Sequence, residues 1–190
     1  MLSLVALQET PKEIYQWLML DSRGEPATEL LARMLASWSL GFGALPAHLG
    51  LSALEFRRML QHHFPAIDPD GLSGSEEWPD SQRWEEMADL RKLLLRNRSS
   101  GADETWLVEI MVAGCMGKDH LWQDLGLWNR SDLSRLMHEN FGPLAGRNVK
   151  DMKWKKFLYK QLCEAEGIYT CRAPSCGVCV DYQNCFGPEE

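Results

Sequence analysis

The stretch LWQDLGLWNRSDLSRLMHENF, residues 121–141, decides the predicted fold because LPAHLGLSALEFRRMLQHHF, residues 45–64, has the same pattern. Both contain an L-x3-L-G-L core and end in Phe, with one residue inserted in the second. The helices before them also align within a one-residue shift, which pairs Met34 with Met111. A helix, glycine-rich turn, helix unit that occurs twice predicts an all-α helical bundle with an internal pseudo-repeat. Chance similarity of two amphipathic helices is the alternative.

Helical spacing of apolar residues extends through most of the chain. Pro11 suits the first position of a helix, and Ser52 with Glu55 forms a predicted capping box. The predicted buried faces include Leu54, Trp84 and Ala165. Residues 68–81, rich in Asp, Gly and Pro, predict a loop. Besides the helices of the two related stretches, the predicted helices cover residues 10–20, 27–40, 81–97, 105–113 and 149–166.

Composition indicates one helical domain with a short tail. The chain has 190 residues, 45% of them apolar, so a sizeable core is expected in residues 1–166, and residues 167–190 form the tail. A net charge of −7 argues against a nucleic-acid partner. The first residues have no basic region before a very short apolar run, so we expect no signal peptide and no membrane segment. A cytoplasmic location follows, where thiols stay reduced.

The tail contains a metal-binding pattern, CRAPSCGVCVDYQNC, in which Cys171, Cys176, Cys179 and Cys185 have the spacing C-x4-C-x2-C-x5-C. Four thiols in so short a loop are a site, because thiolates are the ligands that iron–sulfur clusters, zinc and copper(I) select. An iron–sulfur cluster is the first interpretation. Zinc is the stronger rival, although it usually takes two separated C-x2-C pairs. Disulfides are the remaining alternative, although nothing in the sequence marks a secreted protein.

The segment before the tail is basic in an otherwise acidic protein. One interpretation is a solvated helix face. The other is that these cations offset the negative charge of a thiolate-bound cluster, or dock an acidic partner that receives it. Asp151 alone opposes the basic residues, which are Arg147, Lys150, Lys153, Lys155, Lys156 and Lys160.

Two stretches resemble the NifQ family. The first is MKWKKFLYKQLCEAEGIYTCRAPSCGVCVDYQNCFGPEE, residues 152–190, and the second is GCMGKDHLWQDLGL, residues 114–127. The similarity covers most of the chain after about residue 100 and, more loosely, the first half. It implies a role in nitrogen fixation: carrying molybdenum within a molybdenum–iron–sulfur cluster and donating it for assembly of the nitrogenase iron–molybdenum cofactor. It also implies partners among the nitrogenase cofactor assembly proteins, a recipient scaffold or the iron protein.

The residues are compatible with this role. Four thiolates can hold iron–sulfur units through iron and leave a heterometal corner with oxygen or nitrogen ligands, so that the metal can be passed on. A site at the end of the chain is covered by few elements and can reach a partner. We therefore predict a metallocluster carrier and not an enzyme, since no nucleophile motif or phosphate loop occurs. A small iron–sulfur electron-transfer protein and a zinc-stapled helical adaptor remain alternatives.

Further candidate ligands lie outside the four-cysteine motif. His120 would supply nitrogen to molybdenum if its turn folds against the cysteine loop, and otherwise it is a capping or surface residue. Cys115 is expected to be a small buried residue more than a ligand. Cys163 would be a fifth thiol or a packing residue. His62 and His63 are expected at a helix C-terminus, where cations are favoured.

Overall fold

The computed structural model of the protein describes residues 10–72, 74, 83–99, 105–165 and 182–187. These residues contain helices and no strand, which confirms the predicted all-α class. Residues 47–50 and 69–71 form short 3-10 turns, the second within the predicted loop. The helices are α1 (Pro11–Met19), α2 (Thr28–Trp38), α3 (Ala53–His63), α4 (Trp84–Arg96), α5 (Trp106–Cys115), α6 (Leu121–Asp124), α7 (Arg130–Asn140), α8 (Gly142–Ala145), α9 (Trp154–Ala165) and α10 (Tyr182–Phe186).

The core is built around α2 and α5, the most apolar helices of the chain. Leu31, Met34, Met111 and Val112 are completely buried. Most positions on every side of α2 and α5 are covered, as expected for central helices, whereas the other long helices bury one face each. The apolar helix predicted for residues 105–113 is therefore confirmed as a central element.

Side-chain caps begin two of the predicted helices, α1 and α3. Thr10 and Glu13 form a reciprocal capping box at α1. At α3 the Ser52 side chain accepts from the Glu55 N–H over 3.2 Å, as predicted. The Glu55 carboxylate accepts instead from Trp106 Nε1 over 2.9 Å, and this hydrogen bond ties α3 to the start of α5.

Three residues predicted on buried faces are exposed. Leu54 is 59% exposed because it lies two residues before Phe56, about 200° around α3 from the buried side. Trp84 is 63% exposed at the first position of α4, where burial is incomplete and increases only further along the helix. Ala165 is the last residue of α9 and lies beyond the buried positions of that helix.

The helix predicted from residue 149 begins five residues later, at Trp154. Asn148 binds the backbone of Met152 through both its amide nitrogen (2.8 Å) and its amide oxygen (2.9 Å). Asp151 has φ of +52°, a left-handed conformation that a helix does not allow. Such side-chain-to-backbone bonds compete with helix formation, so residues 148–152 form a turn and Val149 remains exposed.

The two related stretches adopt similar local structures. In each, a short helical turn precedes an 11-residue helix, α3 or α7, that is capped by Ser52 or Asn129 and ends at a buried Phe. The turns differ, because His48 in the first has a positive φ of 55°. These are local parallels, and an internal repeat in which each copy covers the other stays a prediction.

A half-buried charge network joins α2 to α7. The Arg33 guanidinium donates to Asp132 and to Glu29, and Arg135 pairs with Glu29 over 2.9 Å. Arg33 also lies 5.0 Å from the centre of the Trp128 ring, a cation–π distance. This network holds α7 against α2. None of the described helices combines the length and the apolar character needed to cross a membrane.

Candidate metal-cluster and anion site

The fourth cysteine of the motif is docked on the helical body. Cys185 lies in α10, and its carbonyl oxygen accepts a hydrogen bond from the Lys153 N–H over 2.8 Å. Cys185 and Phe186 are partly buried against the core. The thiol of Cys185 is free of any disulfide. Cys171, Cys176 and Cys179 lie outside the described residues, so the predicted four-cysteine ligand set stays a prediction.

A cleft of about 540 Å³ lies where α10 meets the start of α9 and the loop before α6. The loop is the GKDH part of residues 114–127. Asn184, the residue before Cys185, also lines the cleft. The cleft therefore brings together the two stretches that resemble the NifQ family. Its described lining residues are Lys118, Asp119, His120, Leu121, Gln123, Lys153, Lys155, Lys156 and Asn184.

Lys155 ties the loop to α9. Its ammonium group donates to the carbonyl oxygens of Gly117 (2.9 Å) and Asp119 (2.8 Å) and to the carboxylate of Asp124. Three acceptors match the three N–H donors of a lysine. The side chains of Lys155 and Asp124 are 17% and 2% exposed, so water screens this pair poorly. The loop that carries Lys118 and His120 is thus fixed over the first turn of α9.

Two glycines leave the space that Asp124 occupies. A Cβ on Gly117 would lie 2.3 Å from Cγ of Asp124, closer than any side chain tolerates. Gly43 has a φ of +85°, and a Cβ there would lie 2.9 Å from the carbonyl oxygen of Asp124. That same oxygen accepts from the Ala44 N–H over 2.8 Å. Gly43 of the GFG stretch and Gly117 of the GCMG stretch therefore allow close packing around Asp124.

The open side of the cleft is positively charged. Lys118 and Lys156 are exposed and Lys153 is half-buried, and in the part of the chain that the structure describes none of the three has an ion-pair partner. Asp119 is the carboxylate among the described lining residues. Since Asp124 already neutralises Lys155, the described lining has an excess of two positive charges, three lysines against one carboxylate.

The wall behind the cleft is a hydrogen-bonded network between α4 and α9. Tyr159 donates its hydroxyl proton to Glu86 and accepts from Arg83 Nη2 over 3.0 Å, while Arg83 Nη1 donates to the Met116 carbonyl oxygen over 2.9 Å. Burial and the bond to Glu86 raise the pKa of Tyr159 above its ordinary value. The bond from Arg83 lowers the pKa of Glu86. This network fixes the end of α5 against α9.

The structure also locates the other candidate ligands that the sequence suggested. Cys115 is buried at the end of α5, as predicted, and burial raises the pKa of its thiol to about 12. Cys163 is a half-buried free thiol on α9. His63 is buried at the end of α3, where its Nδ1 lies 2.8 Å from Thr28 Oγ1, and His62 precedes it. Within the described ranges, no three His, Cys, Asp or Glu side chains are grouped as a metal site.

His120 is both a helix-start residue and a wall of the cleft. It precedes α6, and its N–H donates to Gln123 Oε1 over 3.2 Å. The loop of His120 and α10, which carries Cys185, line the same cleft, whereas the ligand hypothesis concerns the cysteine loop, most of which lies outside the described residues. Whether His120 also binds molybdenum stays a prediction.

Sequence reasoning missed part of the site. Lys118, Gln123 and Asn184 were not singled out, although Lys118 lies within GKDH and Asn184 within the cysteine motif. The basic segment was recognised, but its lysines have different roles. Lys155 is an internal tether, Lys160 pairs with Glu164 over 3.5 Å, and Lys153 and Lys156 line the cleft.

A second groove of about 300 Å³ adjoins Phe186 on the same small helix. Arg147, Lys150 and Lys160 line it, together with Glu164. Asp151 does not neutralise these cations, because it pairs with Arg130 over 2.7 Å. The basic residues of 147–160 therefore lie around α10 in two grooves.

These features define a class: an all-helical protein with a cysteine motif at its end, whose last cysteine is docked beside a lysine-lined cleft. The chain belongs to the NifQ family, since the family model matches residues 30–187. That range includes all four cysteines of the motif and the GKDH loop.

Curated relatives agree with this membership. The chain is 41% identical to Protein NifQ of Azotobacter vinelandii, over 84% of this chain and 87% of the relative. It is 40% identical to a Protein NifQ homolog of Sinorhizobium fredii, over 85% and 70%, and 34% identical to Protein NifQ of Rhodobacter capsulatus, over 84% and 87%. No solved structure matches the chain.

Proposed function

We propose that this protein is a molybdenum carrier of nitrogen fixation, which holds molybdenum in a molybdenum–iron–sulfur cluster and donates it for assembly of the nitrogenase iron–molybdenum cofactor. Cys171, Cys176, Cys179 and Cys185 are the proposed ligands of the iron–sulfur unit. The observation that carries the proposal is that Cys185, the last residue of this motif, is docked beside a cationic cleft in a member of the NifQ family.

The donor chemistry fits such a cargo. Thiolate sulfur is the protein ligand that iron–sulfur clusters use, and four thiolates add four negative charges at one point. The thiol of Cys185 forms no disulfide and is only partly buried. Lys153 and Lys156 add positive charge at the start of α9, which would offset part of the negative charge of a thiolate-bound cluster.

The position of the motif suits transfer. α10 contacts the body through the hydrogen bond from Lys153 to Cys185 and through the partly buried Phe186, so Cys185 itself is only partly covered. Basic residues on both sides of α10 favour an acidic recipient surface. The proposed recipients are the cofactor assembly proteins, a scaffold or the iron protein, in the cytoplasm. The protein would act as a carrier and not as an enzyme.

Metal content tests the proposal. The full-length protein is produced without oxygen in metal-replete cells and analysed for iron, acid-labile sulfide, molybdenum and zinc. We expect iron, sulfide and molybdenum together. The purified protein should then restore cofactor assembly in an extract that lacks its own carrier, without added molybdenum.

Other metal contents would contradict the proposal. Iron and sulfide without molybdenum would indicate a small electron-transfer protein, and zinc alone would indicate a stapled helical adaptor. Cys176→Ala removes one of the proposed ligands and should abolish iron binding. Cys115→Ala is its matched control, because Cys115 is buried and its thiol stays protonated at neutral pH. Equal loss of iron in both variants would refute the assignment of the ligands.

A further inference from the structure

The lysine-lined cleft has features of a binding site in its own right. Its cations come from two separate segments, Lys118 from the loop before α6 and Lys153 and Lys156 from the start of α9. Lys155 ties these segments together through three hydrogen bonds. Lys118 therefore faces the same volume as Lys153 and Lys156 because the fold brings the two segments together.

Holding three like charges around one volume is unfavourable without an anion. Like charges that share one cleft repel each other where water screens them incompletely. In the described lining, Asp119 offsets one of the three charges and Asp124 is already paired with Lys155. A chain with net charge −7 has many carboxylates that could neutralise this surface, yet the described lining remains cationic.

We propose that this cleft is a binding site for a small tetrahedral oxyanion, molybdate, separate from the thiolate site and adjacent to it. Lys118, Lys153 and Lys156 would provide the charge, and the side-chain amide of Gln123 would donate a hydrogen bond to one of its oxygens. This inference rests on the proposed function only for the identity of the anion, because molybdenum in neutral water is the tetrahedral dianion molybdate.

The chemistry of the lining favours an anion over other small ligands. Ammonium groups are donors without an acceptor, so a metal cation finds few ligands there, and an apolar molecule would leave them desolvated. A volume of about 540 Å³ admits an oxyanion with part of its hydration shell. The anion would then be held next to Asn184, one residue from Cys185, before molybdenum enters the cluster.

Equilibrium dialysis with radiolabelled molybdate tests the inference on the full-length protein, prepared metal-free, at fixed ionic strength. We expect one molybdate bound per chain, and the same affinity in Cys176→Ala, which lacks a complete thiolate set. Lys118→Gln and Lys156→Gln should each weaken binding about tenfold or more, the effect of losing one charge-assisted hydrogen bond. Lys150→Gln is the matched control, since Lys150 is an exposed lysine that lines the other groove.

Each outcome decides the inference independently of the proposed function. Absence of binding, or equal weakening by Lys150→Gln, would overturn the cleft site even if the purified protein carries a molybdenum cluster. Loss of molybdate binding in Cys176→Ala would also overturn it, because the anion would then be held by the thiols. Sulfate or phosphate displacing molybdate at equal concentration would refute molybdate as the ligand. Circular dichroism of every variant establishes that it is folded.

Discussion

The N–H of Lys153 donates a hydrogen bond to the carbonyl oxygen of Cys185 over 2.8 Å, and this bond connects the end of the cysteine motif to the first turn of α9. Lys153 is the residue immediately before that helix, so its N–H has no partner within the helix and is available to α10. The fourth cysteine and the basic cleft therefore share one residue. Any change that moves the start of α9 should move Cys185 as well.

The first prediction separates metal binding from folding. Cys176→Ala should abolish iron retention and leave the helical circular dichroism nearly unchanged, because the buried residues of the described core lie between Ile14 and Leu158. Iron analysis and far-ultraviolet circular dichroism of the same sample check this. Complete unfolding of the variant would contradict an independent helical domain with a cysteine tail.

The second prediction concerns the buried pair of Lys155 and Asp124. Lys155→Met leaves the Asp124 carboxylate buried without its cation, which should lower the free energy of unfolding by about 3–5 kcal/mol. Urea denaturation measures the loss. Lys92→Met is the matched control: Lys92 pairs with Asp89 at the surface, where ion pairs contribute about 0–1 kcal/mol. Equal losses in the two variants would show that Lys155 is not an internal tether.

The third prediction concerns the contact of Gly117 with Asp124. Gly117→Ala places a methyl group 2.3 Å from Cγ of Asp124, so the carboxylate must move away from Lys155. Overpacking of this kind costs about 1–3 kcal/mol, measured by thermal or urea unfolding. Gly71→Ala is the control, since a Cβ at Gly71 meets nothing within 4 Å. A Gly117→Ala protein as stable as the control would refute the close contact.

The fourth prediction concerns thiol reactivity. Cys115 is 1% exposed and its pKa is raised to about 12, so at neutral pH it is an inaccessible protonated thiol. Iodoacetamide should modify Cys163 and Cys185 of the folded, metal-free protein well before Cys115, as read by mass spectrometry of peptides. In urea above the unfolding midpoint the difference should vanish. Early labelling of Cys115 in the folded chain would contradict its burial.

The fifth prediction is a pH dependence. The hydrogen bond from Arg83 lowers the pKa of Glu86 below its ordinary 4.5, so the ionised carboxylate stabilises the fold above about pH 4.5, and this contribution is lost as the pH falls through the lowered pKa. Glu86→Gln should therefore be less stable than wild type at pH 7, with a difference that shrinks on acidification. Glu85→Gln, on the exposed side of α4, is the control. A difference independent of pH would refute the charge-based role of Glu86.

Periodicity alone predicted most helices, because burial of an apolar face determines where a helix of this size forms. Periodicity failed where side-chain-to-backbone hydrogen bonds compete with the hydrogen bonds of a helix. The helix expected from residue 149 begins at Trp154 because the Asn148 side chain binds the Met152 backbone. Leu54 was assigned to a buried face although it lies off the buried side of α3, and the spacing that includes Trp84 does not reveal that burial is incomplete at the first position of α4.

The candidate site, too, could be predicted only in part from the sequence. The sequence by itself determined the four-cysteine motif, the resemblance to the NifQ family and the basic character of residues 147–160, because these depend on residue type and order alone. Only the tertiary structure decided that the GKDH loop and α10 line one cleft, that Lys155 is a tether, and that Lys118, Lys153 and Lys156 face that cleft. Residues more than 30 positions apart are brought together by packing, and the acceptors of Lys155, at Gly117, Asp119 and the buried Asp124, select one lysine among several similar ones.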